Sequence, residues 1–99
     1  MIEMTVHGSE RVLERANLAG DKALNLVERA YNKGKEYSEC SPVLQKYVKN
    51  IYENHASNCV IKIFSNKVFI FGNKMLITMY DLPKAIVKNN HKKIKYYCA

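Results

Sequence analysis

No stretch of the chain approaches the roughly 18 consecutive apolar residues that a membrane span requires. The opening MIEMTVHGSE lacks the basic start and apolar run of a secretory leader. These absences lead to the expectation of a soluble intracellular protein with no membrane contact. Cysteine is scarce too: Cys40, Cys59 and Cys98 form no CxxC pair and have no histidine beside them at zinc-ligand spacing. No metal site and no cofactor are expected. One disulfide is possible in principle, but scattered thiols fit a reducing compartment, where free cysteine is ordinarily packed in the core. Also missing are a carboxylate pair, a glycine-rich phosphate loop and a Ser-His-Asp set, which removes support for hydrolases of those kinds.

Acid is the most unevenly distributed of the missing components. Residues 1–57 carry eight basic and eight acidic side chains, whereas residues 58–99 carry eight lysines and only Asp81. The whole formal charge of +7 therefore belongs to the second half. Lys84, Lys88, Lys92, Lys93 and Lys95 follow Pro83 with no intervening acid, and Tyr96 and Tyr97 adjoin them. Lysines neutralise phosphates and tyrosines stack on unpaired bases, a combination suited to single-stranded nucleic acid. The same composition also serves solubility.

What is present is globular. Apolar content of 47% with 25% charged residues, in a chain of 99, suits one domain burying roughly 60–65% of its unfolded surface. We expect a helical part over 1–57, a sheet over 58–82, and a short helix with a basic, mobile tail over 83–99. A first helix spans 5–17. The turn Asn17–Asp21 follows, with Asp21 as N-cap of a second helix whose stripe is Ala23, Leu24, Val27, Ala30 and Tyr31. Gly34 ends it as a left-handed cap, and KEYSEC is a linker. Ser41-Pro42 is an N-cap followed by a first-turn proline, opening a third helix to about His55 with Leu44, Tyr47, Val48, Ile51 and Tyr52 on its apolar face.

Three antiparallel strands at about 59–64, 67–72 and 75–81 follow as a meander, with Ser65-Asn66 and Gly72-Asn73 supplying the turns. Pro83 ends the last, and PKAIVKNN suits a short helix. The fold class is α+β: about three helices on one face of a three-stranded sheet. Such an arrangement leaves the other face for the C-terminal segment, a homodimer partner or another protein.

The first helix carries the most suggestive polar face. At 100° per residue Arg11 lies about 40° and Arg15 about 80° from His7. A histidine can move protons near neutrality, and guanidiniums can hold a phosphate. The set suits RNA cleavage without a metal, with His7 as acid or base and Arg11 as phosphate ligand. Thr78 and Tyr80 lie two apart on the last strand, on one face with Leu76, and can orient the substrate. Nucleic-acid contacts would then come from Arg11, Arg15 and the lysine-tyrosine tail. The alternative is bland: Glu10 and Glu14 flank the arginines, as on a solvated ion-pair surface, and Thr and Tyr are ordinary strand residues. His55 suits a helix C-terminus, and His91 sits among tail lysines.

VHGSERVLER, AYNKGKEYS and KVFIFGNKMLITMYDLP resemble stretches of short proteins from bacterial prophages and other mobile elements, a likeness running from about Thr5 to Pro83. Gly8 stands where alanine is usual in that group. The order of elements also resembles the ribonuclease-like fold shared by RelE, barnase and colicin-type toxins. There a helical His or Arg and a late-strand hydroxyl face one groove, which implies His7, Arg11, Thr78 and Tyr80 here. The resemblance implies a cytoplasmic protein of the host bacterium that binds RNA, and possible ribonuclease activity. As the alternative, the prophage likeness implies an anti-CRISPR-like inhibitor that binds a host nucleoprotein defence complex.

Overall fold

The computed structural model describes residues 2–54 and 59–84. The expected C-terminal helix beyond Lys84, the basic tail, His55, His91 and Cys98 lie outside the described residues.

The chain enters through a strand too short for any sequence pattern to reveal. Glu3–Met4 (β1) pairs parallel with the strand Met75–Asp81 (β4), Glu3 opposite Met75 and Met4 opposite Leu76. Thr5 then turns the chain into the helix Val6–Ala16 (α1): its hydroxyl accepts a hydrogen bond from the Gly8 N–H at 2.9 Å and donates to the Leu76 carbonyl at 3.1 Å. One side chain thus caps the helix and ties it to the sheet. The helix takes over the flank of β4 that β1 vacates, so closely that a Cβ on Gly8 would collide with the Leu76 carbonyl oxygen. Glycine at this position is a packing requirement, despite its poor helix propensity.

Asn17 closes α1 in the left-handed conformation, its N–H donating to the Leu13 carbonyl. The second helix, Gly20–Lys33 (α2), starts two residues earlier than an N-cap at Asp21 would place it. Ala19 is the N-cap residue and makes no side-chain capping bond, while Asp21 lies in the first turn, where its charge complements the helix dipole. Gly34 corrects a second expectation, since its φ of −67° is extended rather than left-handed. Its missing side chain instead lets the chain pass against the Ala30 carbonyl and the Lys62 Cβ. Lys35 then forms a two-bond bridge with Ile63. The expected linker contains one 3-10 turn, Tyr37–Glu39, held by reciprocal bonds between Glu36 and Glu39. Pro42–Asn54 forms the third helix (α3), with the Ser41 hydroxyl accepting from the Leu44 N–H at 3.4 Å.

Strands Val60–Phe64 (β2), Lys67–Gly72 (β3) and β4 form the antiparallel meander. The sheet is nevertheless four-stranded and mixed, in the order β1-β4-β3-β2. Positive φ at Ser65 and Asn66, and at Asn73 and Lys74, makes both hairpins tight turns of the kind that matches strand twist. The second turn therefore uses Asn73-Lys74 rather than Gly72-Asn73. Gly72 stays in β3, where the Ile77 side chain lies 2.7 Å from the position a Cβ would take.

Two apolar clusters occupy opposite faces of the sheet. Val12, Ala23, Val27 and Ala30 from α1 and α2 pack on Phe69, Phe71, Leu76 and Met79. Leu44 and Val48 from α3 pack on Ile61, Ile63, Val68 and Ile70. Helices thus cover both faces, and the open face expected for a homodimer is occupied by α3. The register explains a further difference. Ile70 faces Thr78 but Phe71 faces Leu76, so Ile77 is an extra residue in β4, a bulge. Leu76 therefore joins the α1 and α2 side, whereas Thr78 and Tyr80, paired with Ile70 and Val68, belong to the α3 side.

Among the described residues no helix is long and apolar enough to cross a membrane, and no group of three or more His, Cys, Asp or Glu side chains is placed to hold a metal ion.

Candidate nucleic-acid interface

Helical spacing brings His7 and Arg11 together at the solvent surface. The Arg11 Nε–H donates to His7 Nε2 at 3.3 Å, and Nη1 forms an ion pair with Glu14 at 2.9 Å. Glu14 thereby neutralises Arg11, and the imidazole spends a nitrogen as acceptor to the same side chain. No hydrogen bond joins this pair to Thr78 or Tyr80. Thr78 is 4% exposed on the α3 side of the sheet, and its hydroxyl oxygen is buried with no hydrogen-bond partner among the described residues.

Arg15, one turn beyond Arg11, is differently placed. Its guanidinium carbon lies 5.8 Å from the centre of the Tyr80 ring, within cation–π range. Its Nε is buried without a hydrogen-bond partner, and among the described residues no acid forms an ion pair with it. Tyr80 has a second neighbour in Tyr47 of α3. The Tyr47 hydroxyl is pushed above the ordinary tyrosine range, first by burial and second by the proximity of Tyr80. Arg15, Tyr80 and Tyr47 thus link α1, β4 and α3 at one end of the sheet.

Lys67 and Lys84 lie at that end. The Leu82 N–H donates to the Asn66 carbonyl at 3.1 Å, fastening the exit of β4 to the β2–β3 turn. Lys67, just past the turn, is ion-paired with Asp81 at 2.7 Å, and Lys84 is exposed three residues further on. Between the end of α1 and the turn runs an open groove of about 450 Å³. Glu14, Arg15, Asn17, Ser65 and Lys67 supply its polar lining, and Ala16, Leu18 and Leu26 its apolar part.

Lys67, Asn17 and Ser65 were not singled out by the sequence. Their residue types announced only turns and caps, and the groove exists because two turns distant in sequence meet. Lys88, Lys92, Lys93, Lys95, Tyr96 and Tyr97, the remaining candidates for nucleic-acid contact, lie outside the described residues.

Comparison with protein-family models, with curated proteins and with solved structures gives no match.

Proposed function

We propose that this chain is a small basic protein of the mobile-element kind that binds nucleic acid, RNA in preference, through the end of the molecule where α1, the β2–β3 turn and the exit of β4 meet. The observation that carries this reading is Arg15, a cation with no ion-pair partner among the described residues, held on the Tyr80 ring beside a groove. An arginine left without a carboxylate keeps its charge available for phosphate. Lys84 leaves from the same end and leads into the lysine-rich segment, which adds phosphate contacts.

Binding is favoured over cleavage. A metal-independent ribonuclease needs its proton carrier and its substrate-orienting hydroxyl on one groove. His7 is in solvent engaged with Arg11, and the Thr78 hydroxyl is enclosed in the sheet. RNA incubated with the protein in chelator at pH 6–8 should stay intact, and cleavage that disappears in His7→Ala would establish the enzymatic reading instead.

Salt dependence tests the binding reading. Removing the residues after Lys84 deletes four lysines. The slope of log affinity against log salt should then flatten by up to about 3 for single strands, at roughly 0.7 per phosphate contact. An unchanged slope would place the contacts elsewhere.

A second reading, an inhibitor that docks on a host nucleoprotein defence complex, has one observation in its favour. Val6 and Leu13, 78% and 52% exposed, stand two turns apart on α1 and offer an apolar contact. Capture of one defence nuclease by the intact protein, lost in Val6→Ser/Leu13→Ser, would favour it.

A further inference from the structure

We infer that the groove beside Arg15 receives one unstacked nucleotide, so that the protein selects single-stranded over duplex RNA. This rests on the nucleic-acid reading above and adds the strandedness of the ligand and the place where it is read. Three properties of the groove carry it. The first is size: about 450 Å³ lies within the roughly 300–1,000 Å³ of small-molecule sites, too large for a bare phosphate and suited to a single nucleotide.

The second is the order of its lining. Arg15 and Lys67 both line it, but Asp81 already pairs with Lys67 and Arg11 already holds Glu14, so of these two cations Arg15 has charge to spend. Its ring contact with Tyr80 fixes the guanidinium, which reduces the entropy lost when it engages a phosphate. The third is the apolar floor of Ala16, Leu18 and Leu26, all partly buried against the core and open on the groove side. A base laid there loses apolar surface to the protein while Asn17 and Ser65 stand beside its edge with amide and hydroxyl groups. Duplex RNA keeps its bases stacked and offers only phosphates and sugar hydroxyls, so it would leave this floor in water.

The test uses the whole chain and two ligands, a single-stranded ten-nucleotide RNA and a hairpin containing the same ten nucleotides in its stem. Affinities are measured by fluorescence anisotropy at fixed salt for the wild type, Arg15→Met and Asn17→Asp. Asparagine and aspartate both tolerate the left-handed backbone at position 17, so the second variant puts a carboxylate in the groove without straining α1. Circular dichroism melts confirm that both variants fold.

The wild type should prefer the single strand by about tenfold, the gain from one base laid on the apolar floor and anchored through its phosphate by Arg15. Both variants should reduce that preference to under about twofold, the tail supplying the residual salt-sensitive binding. Uridine monophosphate alone should shift the backbone amide resonances of Leu18, Leu26 and Ser65. Wild-type binding that ignores strandedness, or a preference that survives both substitutions, overturns the groove as the site while the nucleic-acid reading stands. Absence of binding to either RNA at low salt overturns both.

Discussion

Arg11 and Arg15 are the same residue type one helical turn apart, yet the first is spent within α1 and the second is not. Arg11 has Glu14 three residues on and His7 four residues back, so local spacing supplies both its partners. Arg15 points along the flank of β4, where its neighbour is an aromatic ring contributed from 65 positions further along the chain. The difference shows that the basicity of a helix face is set less by how many arginines it carries than by what faces each one. Local pairs consume charge, and a ring holds it without neutralising it.

Four substitutions or titrations would break or sharpen this contrast. Gly8→Val should have the largest effect, because the added side chain meets the Leu76 carbonyl and forces α1 off β4. A stability loss of about 1–3 kcal/mol is expected by denaturant titration, the range for overpacking. An unchanged midpoint would mean that α1 is not anchored there and that the Arg15–Tyr80 contact is fortuitous. Thr78→Val removes a buried hydroxyl that has no partner among the described residues and should raise stability by about 1 kcal/mol. A loss would reveal a partner for that hydroxyl and restore it as a functional group.

Arg11→Met disturbs only an exposed pair and should change stability by less than about 0.5 kcal/mol in a thermal melt. A larger loss would make Arg11 the structural member of the two. The smallest effect concerns Tyr47, whose ionisation is delayed by burial and by Tyr80. Any stability this group contributes is therefore complete below the ordinary tyrosine range and is lost as pH rises through the raised value. In an ultraviolet alkaline titration Tyr80→Phe should let Tyr47 ionise slightly earlier, and no change would separate the two rings.

The long elements were legible because each has a period and a boundary. Ser41-Pro42 opened α3, and the β-branched and aromatic runs marked β3 and β4. Two features had no local signal. β1 is two residues, Glu3 and Met4, whose strand character comes wholly from hydrogen bonds to the 74–76 region. The bulge at Ile77 is invisible to strict alternation, which put Leu76 on one face with Thr78 and Tyr80. The expectation of three helices on one face also failed, because helix stripes do not say which side of a sheet they cover: α3 lies on one side and α1 and α2 on the other. The spacing of His7 and Arg11 was readable, whereas the pairing of Arg15 with Tyr80 needed the third dimension.

The bridge between Lys35 and Ile63 bears on how this chain behaves among its own kind. Edge strands recruit foreign strands through unpaired N–H and C=O groups, the first step of fibril growth. Along β2 the Ile63 N–H donates to the Lys35 carbonyl at 2.9 Å and the Ile61 N–H to the Tyr52 hydroxyl at 3.4 Å. At the opposite rim β1 offers two residues before α1 replaces it alongside β4. A visiting strand would have to displace native partners along β2 and would find almost no template at β1. The sheet is thereby protected against templated aggregation at both borders.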